Sequence, residues 1–203
     1  MKYVYIEDGS AAYRALFTAL GYAITTDFNE ASLVCFTGGE DVTPYLYGDS
    51  PHKYTGNNVY RDAKEQRLFK AVMAKNIPMV GICRGGQFLN VMSGGRMYQH
   101  VEKHTRPHSM TDVRTGETIY VSSTHHQMMM PSNKATIIAT AALSGLREWY
   151  DGEVFRKDVS NEDIEVVWYA DTKCMCFQPH PEFMQAEYEG ILAYFGKLLK
   201  EFT

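Results

Sequence analysis

The chain has 203 residues, 45% of them hydrophobic and 22% charged, with 20 Lys and Arg against 24 Asp and Glu for a net charge of −4. This suits one globular domain over 1–203 that buries about 70% of the surface its unfolded chain exposes, with no need of disulfides or metals to hold a core. The acidic balance argues against a nucleic-acid binder, which needs a basic face, and no apolar run approaches the length of a membrane-spanning helix.

In chain order, "YVYI" (Tyr3–Ile6) reads as a short strand whose apolar run stops at Glu7 and Asp8, too short for a secretory signal. "SAAYRALFTALG" reads as a helix that Ser10 caps and Gly21 ends. "ASLVCFTGG" is an apolar run closed by paired glycines. "RDAKEQRLFKAVMAKN" reads as a helix with an imperfect apolar stripe of Ala63, Leu68, Ala71 and Val72. "IPMVGIC" is a third apolar run, and "GGQFLNVMSGG" a short helix closed by Gly94 and Gly95. Further on, "ETIYVSS", "KATIIATAA", "IEVVWYA" and "KCMCFQ" read as strands, and "EFMQAEYEGILAYFGKLLKEF" as a C-terminal helix. Gly95 to Arg114 resists assignment, and "REWYDGEVFRKDVSNED" reads as an exposed hairpin or loop. Alternating strands and helices in the first half predict an α/β fold: a mostly parallel central sheet with helices on both faces.

The four cysteines are Cys35, Cys83, Cys174 and Cys176. Their spacing matches neither a disulfide framework nor a paired zinc motif, so they read as reduced thiols of a cytoplasmic protein. Cys83 stands apart because "PMVGIC" as a strand and "RGGQFLNVM" as a helix put it on the turn between them. A nucleophile at such a turn is exposed at the carboxyl edge of a sheet. Gly81 and Gly85 remove side chains where the backbone turns and the helix packs close. The helix N-terminus favours the thiolate, and its free N–H groups can receive an oxyanion. A buried core cysteine beside a tight turn is the competing reading. The glycines fit neither a P-loop nor a dinucleotide-binding fingerprint.

A nucleophilic cysteine needs a base, and the base an orienting group. "CMCFQPHPEF" supplies both: His180 follows a predicted strand, and Glu182 lies two residues on. In extended geometry such a pair shares one face, so the carboxylate can hold one ring nitrogen and leave the other for sulfur. Pro179 and Pro181 keep the segment from becoming helical. His100, His104 and His108 recur every four residues, a metal-ligand spacing on a helix, but Pro107 interrupts that helix; the expectation is no metal and no cofactor. Met128 to Met130 read as packing residues, and Cys174 and Cys176 as buried on one strand face.

"GICRGGQ" (Gly81–Gln87) followed far downstream by "HPE" (His180–Glu182) resembles the GxCxGxQ and HPE motifs of the class I glutamine amidotransferase-like superfamily. A finer resemblance is to its γ-glutamyl hydrolase branch, peptidase C26. "FTGGEDVTPYLYG" is similar to that branch's GGxDVxPxxYG segment, "YRDAKEQRLFKAV" to its RDxxE helix, and "SSTHHQ" to its SxHHQ segment. The resemblance implies a flavodoxin-like three-layer sandwich with Cys83 as nucleophile, His180 as base and Glu182 as its orienter. It implies that Gly38 and Gly39 face the substrate and that the Gly39 and Arg84 N–H groups form the oxyanion hole. It also implies that Gln87 lines a γ-glutamyl pocket, and that His125, more than His126, lies near the substrate. The implied reaction is hydrolysis of the γ-glutamyl amide of glutamine or a conjugate, through a thioester. A glutaminase subunit feeding a separate synthetase, and a non-catalytic binding module on the same fold, stay open beside it. So does a homo-oligomer, to which the 14 tyrosines could belong. Two departures from the branch are Pro179, where its members usually carry Trp, and a compressed N-terminal part.

Overall fold

The structure, a computed structural model, describes residues 1–143, 145–160, 162–185 and 189–203. Its strands are β1 (Lys2–Glu7), β2 (Tyr22–Thr25), β3 (Leu33–Phe36), β4 (Met79–Ile82), β5 (Arg96–Tyr98), β6 (His100–Val101), β7 (His108–Asp112), β8 (Thr118–Val121), β9 (Met128–Met130), β10 (Thr136–Ala141), β11 (Gly145–Asp151), β12 (Val154–Ser160), β13 (Asp163–Tyr169) and β14 (Cys174–Phe177). The helices are α1 (Ala11–Ala19), α2 (Val59–Ala74), α3 (Arg84–Met92) and α4 (Glu189–Phe202).

One nine-stranded sheet runs in the order β2-β1-β3-β4-β14-β13-β10-β7-β8. Its first five strands are parallel, and with β14 as the fifth they follow the doubly wound order 2-1-3-4-5. The remaining four continue it antiparallel. β3 (LVCF), β4 (MVGI) and β14 (CMCF) are buried along their whole length. Near-continuous apolar runs are what strands covered on both faces require.

The alternation along these strands feeds two cores. Cys35, Val80, Ile82, Met175 and Phe177 pack with Leu16 and Phe17 of α1 and with Ile191, Phe195 and Leu198 of α4. Val34, Phe36, Met79, Cys174 and Cys176 pack on the other face with Phe69 and Val72 of α2 and with Phe88 and Leu89 of α3. The result is the three-layer sandwich expected, and each fully buried Leu or Phe contributes about 1.5–3 kcal/mol. Cys174 and Cys176 share one face as predicted, and Met128 and Met129 are buried.

Several predicted elements differ. The buried face of α2 is Asp62, Glu65, Phe69 and Val72; Ala63, Leu68 and Ala71 are only half-buried. Two carboxylates open that face, so counting apolar residues misplaced it. Ser10 precedes α1 but makes no capping side-chain hydrogen bond. The C-terminal helix begins at Glu189 among the described residues; Pro181–Phe183 form a 3₁₀ turn instead, and residues 186–188 of the predicted helix lie outside the described set. The unassigned stretch from Gly95 to Arg114 holds β5, β6 and β7. Here β5 pairs with β9, and β6 with β11 of the exposed β11–β12 hairpin. No helix among the described residues is long and apolar enough to cross a membrane.

Candidate active site

The site forms where β3, β4 and β14 end at the carboxyl edge of the sheet, the place such folds keep for ligands. Cys83 links β4 to α3 with φ 51° and ψ −115°, a left-handed conformation that costs a non-glycine residue about 1–3 kcal/mol. Packing enforces it. A Cβ at Gly81 would lie 2.2 Å from the Gly85 carbonyl, and one at Gly85 would lie 2.1 Å from Phe36 O. The Cys83 N–H donates to Phe177 O at 2.8 Å, tying the turn to β14.

His180 reaches the same point from β14. A methyl group added at Gly38 would sit 3.5 Å from His180 Cε1 and 3.6 Å from Cys83 Cβ, so the two side chains flank one spot. His180 Nδ1 lies 2.7 Å from Glu182 Oε1. The pair does not meet in extended geometry as the spacing suggested: His180 caps the 3₁₀ turn that carries Glu182, and the turn folds the carboxylate back under the ring. The Phe183 ring stacks on the imidazole at 4.6 Å. Burial alone would lower the His180 pKa, but hydrogen bonds with Cys83 and Glu182 outweigh it and raise the imidazole to about 10. The other three cysteines are free thiols deep in the core; burial pushes Cys174 up to about 12, and Cys35 and Cys176 well above an ordinary thiol.

The loop after β3 is held from below. Arg61 donates to Gly38 O at 3.0 Å and Thr37 O at 2.9 Å, and its Nε donates to Glu65 Oε1 at 2.9 Å. The Gly38 N–H donates to the Tyr13 hydroxyl at 2.9 Å, so both its backbone groups are engaged within the protein. Gly39, at φ +142°, is the neighbour with an N–H for a ligand, and its missing side chain leaves room for Arg61. The Arg84 side chain is buried and pairs with Asp62 and Glu65. What Arg84 offers is its N–H, at the first position of α3 where no intrahelical acceptor exists. The RDxxE segment thus supplies an ionic girder for the turn.

A cavity of about 380 Å³ opens over Cys83, lined by Gly39, Glu40, Asp41, Tyr54, Gln87, Thr124, His125, His126 and His180 among others. A groove of about 850 Å³ between α1 and α4, along Leu20, Tyr22, Leu192 and Leu199, is larger, but its lining holds neither a cysteine nor a histidine. The Gln87 amide donates to Gln127 O at 3.0 Å and Gln178 Oε1 at 3.2 Å, making it a braced wall of the cavity. His126 lies 3.2 Å from Asp41 Oδ1, a contact that raises its pKa, so it lines the cavity as His125 does. His125 Nδ1 sits 2.7 Å from Gln127 O, and burial pushes its pKa down to about 3.

Sequence reasoning missed Thr124, whose Oγ1 is 2.9 Å from His180 Nε2, and Tyr13, which holds Gly38. The four-residue spacing of His100, His104 and His108 belongs to no helix, as the interrupting Pro107 implied. They lie on β6, the loop after it and β7. His100 stacks on His52 and lies tilted against Tyr54, whereas His104 and His108 turn inward to Glu165.

Known proteins are similar to this chain in sequence and in fold. The profile of the peptidase C26 family matches residues 24–145. A Lactococcus lactis subsp. cremoris protein named "Putative glutamine amidotransferase-like protein YvdE homolog" is 36% identical over 117 residues, which cover 47% of this chain and 62% of that relative. The chain therefore matches less than two thirds of that relative's length. A glutamine amidotransferase from Thermotoga maritima superposes with a TM-score of 0.60 at 17% identity, over 99% of this chain and 85% of that one. A Thermoplasma acidophilum "putative gmp synthase subunit a protein" gives 0.61 at 15% identity, over 98% of each chain. At these identities the likeness is one of fold.

Proposed function

The chain belongs to the peptidase C26 family of the class I glutamine amidotransferase-like superfamily, and from that premise we propose that it hydrolyses the γ-glutamyl amide bond of glutamine or a γ-glutamyl conjugate. The observation that supports this reading is that Cys83, on its strained turn, and His180, backed by Glu182 at 2.7 Å, flank one spot.

The Cys83 thiolate attacks the side-chain carbonyl carbon, forming a C–S bond. The oxyanion is received by the N–H groups of Gly39 and Arg84. The His180 imidazolium gives its proton to the leaving amine as the C–N bond breaks, leaving a γ-glutamyl thioester. His180 then deprotonates a water that attacks the thioester; the C–S bond breaks, glutamate leaves, and the thiolate and imidazolium are restored. Glu182 holds the ring and balances its charge throughout. The chemistry draws on side chains and backbone alone.

The test is Cys83→Ala, assayed by glutamate release from glutamine and from a panel of γ-glutamyl amines. The expected loss is on the order of 10⁴-fold or more, and a glutamine-like diazo-ketone should label the peptide holding Cys83. Turnover that survives the substitution, or a label elsewhere, refutes the reading.

A second reading, a glutaminase subunit that passes ammonia to a separate synthetase, is favoured by the full-length likeness to a protein named as a synthase subunit. Glutamine hydrolysis that appears only on addition of a synthetase partner would select it.

A further inference from the structure

Behind the cavity wall lies a buried cluster that the proposed hydrolysis leaves unused. His104, His125 and Glu165 are 1%, 4% and 0% exposed and come from three separate places: the loop after β6, the segment after β8, and β13. Each offers a ligand atom, and the three atoms lie within 4.8 Å of one another.

The outward contacts of these rings leave their inner nitrogens free for a common centre. His125 Nδ1 is engaged by Gln127 O at 2.7 Å, and its Nε2, buried, has no hydrogen-bond partner among the described residues. His104 Nε2 lies 3.1 Å from Asp163 Oδ2, which leaves Nδ1 facing Glu165 Oε1 at 3.3 Å, neither approach aligned as a hydrogen bond. Glu165 Oε2 is buried and unpartnered as well. A metal-ligating histidine characteristically gives its other nitrogen to a carboxylate or a backbone carbonyl. Asp163 and Gln127 O fill those two places. Zinc bonds of about 2.0–2.1 Å in a tetrahedron put neighbouring ligand atoms about 3.3 Å apart, the spacing of His104 Nδ1 and Glu165 Oε1.

We propose that His104, His125 and Glu165 form a binding site for one first-row transition-metal ion of the zinc type. Two imidazoles and one carboxylate are a donor set that suits Zn²⁺ better than the harder, oxygen-seeking Mg²⁺ or Ca²⁺. His108, with Nε2 3.0 Å from Glu165 Oε1 and Nδ1 3.1 Å from Arg106 O, steadies that carboxylate beside the three. His125 lines the cavity over Cys83, which gives the ion a way in. Once bound, it fixes the segment that carries Thr124 against His180. The site stands independently of the hydrolase reading.

The experiment is a metal titration of protein purified without a polyhistidine tag and stripped with a chelator. Wild type is expected to take up one Co²⁺ per chain, with the intense visible absorption of a four- or five-coordinate ion, and Zn²⁺ is expected to displace it. His104→Ala and Glu165→Gln are each expected to weaken uptake at least tenfold, while His126→Ala, on the cavity rim, retains it. Uptake that persists in both cluster variants overturns the proposal. If neither variant folds, wild type decides alone: saturable 1:1 uptake with that absorption upholds the site. No saturable uptake, or only the weak spectrum of a six-coordinate hydrated ion, would overturn it in favour of a cluster held by a protonated imidazole.

Discussion

His180 Nδ1 and Glu182 Oε1 stand 2.7 Å apart across a single proline, Pro181. A 3₁₀ turn brings the two together, so the carboxylate is fixed under the ring by backbone geometry. Glu182→Gln keeps the shape and removes the charge that stabilises an imidazolium. The expected result is a fall in kcat of about 100-fold or more with a small change in KM, since the group acts on the ring and not on the substrate. Steady-state kinetics on a γ-glutamyl amide check it; an unchanged kcat would exclude Glu182 from the mechanism.

The raised His180 pKa gives a second prediction. With the folded value near 10 against 6.5 for a free imidazole, the stabilisation from its charged form is fully present below about pH 6.5 and is lost as pH rises through 10. The activity limb that needs the imidazolium should likewise fall near pH 10. Imidazole NMR should show a titration near that pH, moving lower in Cys83→Ala because a hydrogen-bond partner is gone. A midpoint near 6.5 in the wild-type protein would contradict the arrangement.

Arg84 tests the girder below the turn. Its guanidinium pairs with Asp62 and Glu65, all three buried. Arg84→Met strands these carboxylates away from water, which costs about 3–5 kcal/mol for a broken buried ion pair. Because position 84 keeps its backbone N–H, residual folded protein should retain an oxyanion donor and measurable turnover. The urea midpoint reads the stability, and a loss below about 1 kcal/mol would mean that Arg61 alone satisfies Glu65.

The parts of the site written in local sequence were legible there. Gly81, Cys83 and Gly85 announce a tight strand-to-helix turn because a side chain at either glycine collides with backbone. A histidine just past a buried strand, followed by Pro and Glu, announces its own partner. The rest is set by distant pairings. β5 and β6 are three and two residues long and exist through β9 and β11, so they have no period of their own. The face of α2 was misread because its buried positions begin with Asp62 and Glu65, which are polar until Arg84 of another helix meets them. Arg84 and Gln87 sit where the motif puts them, yet the Arg84 side chain is taken up by Asp62 and Glu65, and the Gln87 amide is braced by Gln127 O as a wall of the cavity.

Thr124 is the residue whose role only the assembled structure suggests. Its hydroxyl lies 2.9 Å from His180 Nε2, the nitrogen that serves sulfur in the proposed reaction. Glu182 holds the opposite nitrogen, so the ring is gripped at both ends and its plane is set. In the imidazolium, the Nε2 proton can be shared between Thr124 and Cys83, and Thr124 then acts as a positioning residue. Thr124→Val keeps the volume and deletes the hydroxyl. A hydrogen bond to a charged group is worth about 1.5–3 kcal/mol, so kcat should fall about 10- to 100-fold with KM nearly constant. Thr124→Ser should restore most of it, which a purely packing role would not. A Val variant as active as wild type across the pH range would leave the ring oriented by Glu182 and the stacked Phe183 alone.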